Sequence, residues 1–91
     1  MKKSVRVYIT GSIQGMFFRQ FIKDNADKLG VMGFVRRLED GRVEVFIEGD
    51  GEKVDATIAI CKQGPKHATI RNAEQKEEKY QGFKEFKIIN F

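Results

Sequence analysis

Apolar and polar residues first alternate at Val5, Val7 and Ile9 against Arg6, Tyr8 and Thr10, the period of a strand with one buried face. The period then lengthens. Phe18, Ile22, Ala26 and Leu29 recur at helical spacing, which predicts a helix over Phe18–Leu29 with Gly30 placed just past its end. Gly33–Glu39 and Arg42–Glu48 read as two strands joined at Asp40-Gly41, a dipeptide favoured in tight hairpin turns. Asp50 can cap a second helix running through about Gln63, with Val54, Ile58 and Cys61 on its inner stripe and Gly64-Pro65 closing it. Two more strands are predicted at Ala68–Gln75, whose second half is polar, and at Glu85–Ile89, with Glu77–Gly82 a solvated loop between them.

Strand, helix, strand, strand, helix, strand and a further short C-terminal strand is the order of an α+β fold, the ferredoxin-like split βαβ sandwich. The expected layout is an antiparallel sheet with both helices on one face. The 91 residues make one domain, 1–91, with enough buried surface for a single core. This architecture serves enzymes, RNA-binding modules and metal-binding domains alike, so it assigns no function by itself.

Composition removes several classes. The chain is 41% hydrophobic and 33% charged, with neither a long apolar run nor a signal-peptide pattern, so the expectation is a cytoplasmic protein without a membrane partner. Cys61 is the single cysteine and His67 the single histidine, which rules out an internal disulfide and argues against a zinc site of nitrogen and sulfur ligands. The expected protein is a monomer with no metal and no cofactor. The net charge of +4 comes from basic residues interleaved with 13 acidic ones along the whole chain, which does not favour a nucleic-acid partner. Phe17, Phe18, Phe21 and Phe34 are expected in the core rather than as a platform for bases, Cys61 as a small buried apolar residue, and His67 in a loop or at a strand edge.

One segment carries chemistry. Gly11-Ser12-Ile13-Gln14-Gly15-Met16-Phe17-Phe18-Arg19 leaves the first strand and enters the first helix, bracketed by glycines. Glycine permits backbone conformations closed to other residues, so successive N–H groups can converge on an oxyanion at the positive end of the helix. Arg19 lies where its planar fork of donors can meet the same anion. The plain alternative for the two glycines is a tight strand-to-helix turn.

Gly11 to Arg19, then Ala26-Asp27-Lys28-Leu29-Gly30-Val31-Met32-Gly33-Phe34-Val35-Arg36, then Asp40-Gly41-Arg42-Val43-Glu44, and later Gln63-Gly64-Pro65, together resemble acylphosphatase over nearly the whole chain in order and spacing. The most specific part is Gln14-Gly15-x-x-Phe18-Arg19. The resemblance implies a small enzyme that hydrolyses the carboxyl-phosphate anhydride of acyl phosphates to carboxylate and inorganic phosphate, without metal or covalent intermediate. It implies further that the backbone N–H groups of Ser12, Ile13, Gln14, Gly15 and Met16 and the guanidinium of Arg19 hold the phosphoryl oxygens while water attacks in line. A carboxylate of pKa about 4 leaves without protonation, which accounts for a site with no histidine or cysteine chemistry.

The chain departs from the family at one catalytic position. After Gly33-Phe34-Val35-Arg36 the family carries an asparagine that orients the attacking water, and Arg37 stands there instead. Asparagine both donates and accepts, whereas guanidinium only donates. Three outcomes stay open: an acylphosphatase with lowered turnover, one in which another acceptor such as Gln14 serves the water, or an anion-binding module that does not hydrolyse its ligand. Arg37 also has a plain reading, as a surface strand residue facing Glu39 or Glu44.

Overall fold

The alternation that opens the chain continues through all of β1 (Lys2–Ser12), which buries Val5, Val7 and Ile9 completely. In this computed structural model, which describes residues 1–12 and 15–89, β1 is followed by α1 (Gly15–Leu29), β2 (Met32–Arg37), β3 (Val43–Asp50), α2 (Gly51–Gln63), β4 (Thr69–Glu77) and β5 (Phe86–Ile89). The strands form one sheet in the order β4-β1-β3-β2-β5. β1 and β2 each pair antiparallel with β3 between them, so they run parallel to each other, and the same holds for β3 and β4 across β1. That is the double split βαβ expected from the sequence. The sheet is not antiparallel throughout, because β5 joins the far edge parallel to β2.

α1 packs over β2 and β5, and α2 over β1, β3 and β4. Phe18, Ile22 and Ala26 of α1 and Val54, Ile58 and Cys61 of α2 are the stripes that close on Val35, Val43, Val45 and Ile47 of the sheet. Each fully buried side chain of this kind contributes about 1.5–3 kcal/mol through removal of apolar surface from water. Gly30, at φ 74°, ends α1 in the left-handed region that glycine occupies without strain, as the sequence suggests. Asp50 caps α2 by accepting from the N–H of Lys53 at 3.4 Å.

Three boundaries differ from the sequence expectation. α1 starts at Gly15, three residues before its first apolar stripe residue. The β2–β3 connection is wider than the dipeptide turn: Leu38 donates to the carbonyl of Arg42 at 2.8 Å, Gly41 sits at φ 91°, and Asp40 accepts from the N–H of Arg42 at 3.0 Å. These contacts to Arg42, led by the backbone N–H, hold the Asp40 carboxyl below its usual pKa. β4 runs to Glu77 despite its polar second half, since it pairs with β1 on one side and meets solvent on the other.

The sheet face away from the helices is also covered. Glu44, Phe46 and Glu48 of β3 are all buried there. Arg6 and Arg36 both pair with Glu44, and Arg6 lies over the rings of Phe34 and Phe46. Glu48 accepts from Ser4 Oγ at 3.1 Å and from the backbone N–H groups of Gln81 and Phe83 at 2.8 and 2.7 Å. This carboxylate therefore ties the segment between β4 and β5 across the sheet.

Candidate active site

The parallel relation of β1 and β2 decides where the chemistry gathers. Both strands end at the same end of the sheet, so Ser12, the last residue of β1, and Arg37, the last of β2, share it with the first turn of α1 and the start of β4. In register, Ile9 and Arg37 both lie opposite Val43. At the usual strand spacing this puts their Cα atoms about 9–10 Å apart. Alternation along β2 puts Arg37 on the helix-bearing face with Val35, where it is exposed.

Gly11 brings the chain into the loop by close approach. A Cβ there would stand 2.1 Å from the carbonyl oxygen of Thr69, so only glycine fits against β4 at this point. The pairing shifts between Thr10 and Gly11, whose partners are Asn72 and Ile70. Such a bulge bends a strand and re-aims the residues after it. Neither Gly11 nor Gly15 has positive φ, which corrects the expectation that both glycines serve by unusual backbone angles. Ile13 and Gln14, two of the expected cradle residues, lie outside the described residues.

Gly15 and Met16 open α1, so their N–H groups are among the first of the helix and have no intrahelical acceptor. The first turn of α1 carries no acidic residue to neutralise that end, whereas α2 has Asp50 as its cap and Glu52 in its first turn. Arg19 stands one turn further on. Helical side chains lean toward the N-terminus, and one of its terminal nitrogens, Nη2, reaches 3.7 Å from where a Cβ of Gly15 would be. Its Nε is buried and, among the described residues, has no hydrogen-bond partner. A buried guanidinium donor left unpaired is costly, and an oxyanion between Arg19 and the first amides of α1 would satisfy it.

The other sequence-singled residues distribute plainly. Glu44 is occupied by Arg6 and Arg36 on the opposite face, so Arg37 does not pair with it, and among the described residues no carboxylate forms an ion pair with Arg37. Cys61 is fully buried, and desolvation pushes its thiol up to about 12, far from a reactive thiolate. Phe18 is core as expected. Phe17 is not: it is 62% exposed and sits beside Pro65, His67 and Ala68. Its periodicity gave the signal, since Phe17 falls off the stripe of Phe18, Ile22 and Ala26. A cavity of about 760 Å³ lies at the opposite end of β1, lined by Lys2, Lys3, Asp50, Glu52 and Glu77. It is at the wrong end of an 11-residue strand and mixes both charges, so the cradle end is the better site.

A family model described as acylphosphatase matches residues 5–88. The acylphosphatase of Rubrobacter xylanophilus is 46% identical over 80 residues, spanning 88% of this chain and 73% of that protein. That of Syntrophus aciditrophicus is 43% identical over 90 residues, 98% of this chain and 94% of its own. Among solved structures, the acylphosphatase from Bacillus subtilis superposes with a TM-score of 0.91 at 28% identity, covering 99% of this chain and 100% of that one.

Proposed function

The chain belongs to the acylphosphatase family, hydrolases of acyl phosphates, and we propose that its cradle for the phosphoryl group consists of the backbone N–H groups of residues 12–16 and the guanidinium of Arg19. The observation that carries this reading is the buried Nε of Arg19, without a hydrogen-bond partner among the described residues and turned back over Gly15 at the positive end of α1, whose first turn holds no acidic residue. Three equatorial oxygens share the charge of a phosphoryl-transfer transition state, and fixed dipoles with one arginine stabilise it without a proton being moved to them.

In the reaction, a water oxygen attacks phosphorus while the bond from phosphorus to the acyl oxygen breaks. Its electron pair leaves on the carboxylate, and the water's proton passes to the phosphate product or solvent. Arg37 stands beside this path and, as a donor only, cannot accept from the attacking water. We take it to slow the attack while adding positive charge near the bound anion, so the enzyme binds phosphate well and turns over slowly. We also place the protein in the cytoplasm as a monomer. Its lone thiol is buried and, among the described residues, its large exposed apolar side chains are few: Met1, Met16, Phe17 and Tyr80.

The test is steady-state hydrolysis of benzoyl phosphate with a chelator present. The wild type should turn over, inorganic phosphate should inhibit it, and Arg19→Ala should lose about 100-fold or more in kcat/KM, the usual scale for removing a transition-state donor. Undiminished hydrolysis by Arg19→Ala would reject the cradle.

A further inference from the structure

Next to the cradle lies a second feature that phosphate binding does not use. A cavity of about 220 Å³ is lined by Phe17, Phe18, Pro65, His67 and Ala68. At about 30 Å³ per water it has the room of roughly seven waters, the scale of one small organic group rather than a drug-sized ligand. Four of its five lining residues are apolar and none carries a carboxylate, lysine or arginine. Phe17, a large ring left 62% exposed in the first turn of α1, forms one wall.

The residues that line the cavity adjoin both ends of the proposed cradle. Phe17 and Phe18 follow Gly15 and Met16 and immediately precede Arg19. On the other side, Ala68 precedes Thr69, the register partner of Ser12, whose carbonyl oxygen touches Gly11. The turn that presents Pro65 and His67 is closed by the N–H of Ala68 donating to the carbonyl of Pro65 at 3.1 Å. Arg37 sits toward β2, across β3 from β1, whereas this cavity is on the β4 side. A phosphoryl group in the cradle thus has a charged flank and an apolar flank.

We propose that the cavity receives the acyl group of the substrate, and that Phe17 makes this protein selective for acyl phosphates with an aromatic or otherwise apolar acyl part. The inference rests on the cradle reading, since the phosphoryl group must be held by Arg19 for its acyl substituent to reach Phe17. An apolar wall rewards each buried carbon of the acyl group and offers no counter-charge to an acyl group bearing a carboxylate. Acetyl phosphate is too small to fill the space.

The test is the ratio of kcat/KM for benzoyl phosphate over acetyl phosphate, with succinyl phosphate as the charged comparison, in the wild type, Phe17→Ala and Phe17→Leu. The mutational change in the ratio cancels the small intrinsic difference in leaving-group reactivity. The wild type should prefer the benzoyl substrate, Phe17→Ala should lower the ratio about fivefold to tenfold, and Phe17→Leu should restore part of it, in keeping with what contacts of this size discriminate. A ratio that Phe17→Ala leaves unmoved overturns the proposal, as does a wild-type preference for succinyl phosphate, which would give acyl recognition to Arg37. If Phe17→Ala instead weakens inhibition by inorganic phosphate as much as it weakens benzoyl phosphate use, the ring supports the loop and the proposal is overturned. Failure of the cradle reading is distinguishable, because it appears as hydrolysis that Arg19→Ala does not impair.

Discussion

Gly11 leaves no space for a side chain: the Cβ of an alanine would stand 2.1 Å from the carbonyl oxygen of Thr69 and 3.0 Å from the Cα of Ile70, both backbone. Gly11→Ala must therefore push β4 away from the end of β1, and it is expected to lower both thermal stability and phosphate binding. Among the described residues Gly15→Ala meets only the tip of Arg19, at 3.7 Å, and should fold as well as the wild type; melting curves of the two variants side by side check the contrast. Arg37→Asn restores a group that can both donate and accept, and is expected to raise kcat several-fold in steady-state hydrolysis of benzoyl phosphate. An unchanged or lower kcat would mean that Arg37 is not what limits the attack. At this scale the sequence was informative about identity more than cause. It singled out Gly11, Gly15 and Arg19, but it attributed the glycines to unusual backbone angles, because the approach of Thr69 to Gly11 is a contact between distant parts of the chain that no local pattern records. It also placed Phe17 in the core, since aromatic character weighed more than the residue's position off the helical stripe.

Among the elements, the segment joining β4 to β5 depends most on a single side chain. Glu48 accepts from the N–H groups of Gln81 and Phe83 and from the hydroxyl of Ser4, and it is 1% exposed. Glu48→Gln keeps the shape but turns an amide NH₂ toward donors and removes the charge that strengthens all three bonds. The expected loss is about 2–3 kcal/mol, or roughly 10–20 °C in Tm for a domain of this size. Faster hydrogen exchange at Gln81 and Phe83 should accompany it; an unaltered Tm would show that the segment holds without Glu48. Helices and the first three strands were legible because each buries one face and so keeps its period: Val5, Val7 and Ile9 in β1, and Phe18, Ile22 and Ala26 in α1. β4 was harder to bound because, as an edge strand, it is held by its ladder with β1 and its exposed side chains carry no pattern. The burial of Glu44 and Glu48 was not legible, since their partners Arg6, Ser4, Gln81 and Phe83 come from distant parts of the chain.

For the molecule as a whole, the core and the site occupy different parts of one frame and answer to different chemistry. Cys61 lies within the core, and burial raises its thiol from 9.0 to about 12. Only the unfolded chain ionises this thiol between those values, so its contribution to stability is complete below about pH 9 and is lost as pH rises toward 12. Tm should accordingly fall more steeply with pH over that window in the wild type than in Cys61→Ala, and an equal slope would contradict the burial. The site instead gathers where β1 and β2 end together, which the order of elements in the sequence already implied once the split βαβ arrangement was assumed. What that order could not supply is the Nε of Arg19 beside the first turn of α1, without a partner among the described residues, the feature on which the proposed cradle rests. The most direct measurement is a crystal structure with a phosphate analogue such as vanadate bound. The anion should lie with one oxygen about 3 Å from Arg19 Nε and others on the N–H groups that open α1. An anion bound elsewhere, with Arg19 Nε still unpartnered, would contradict the account.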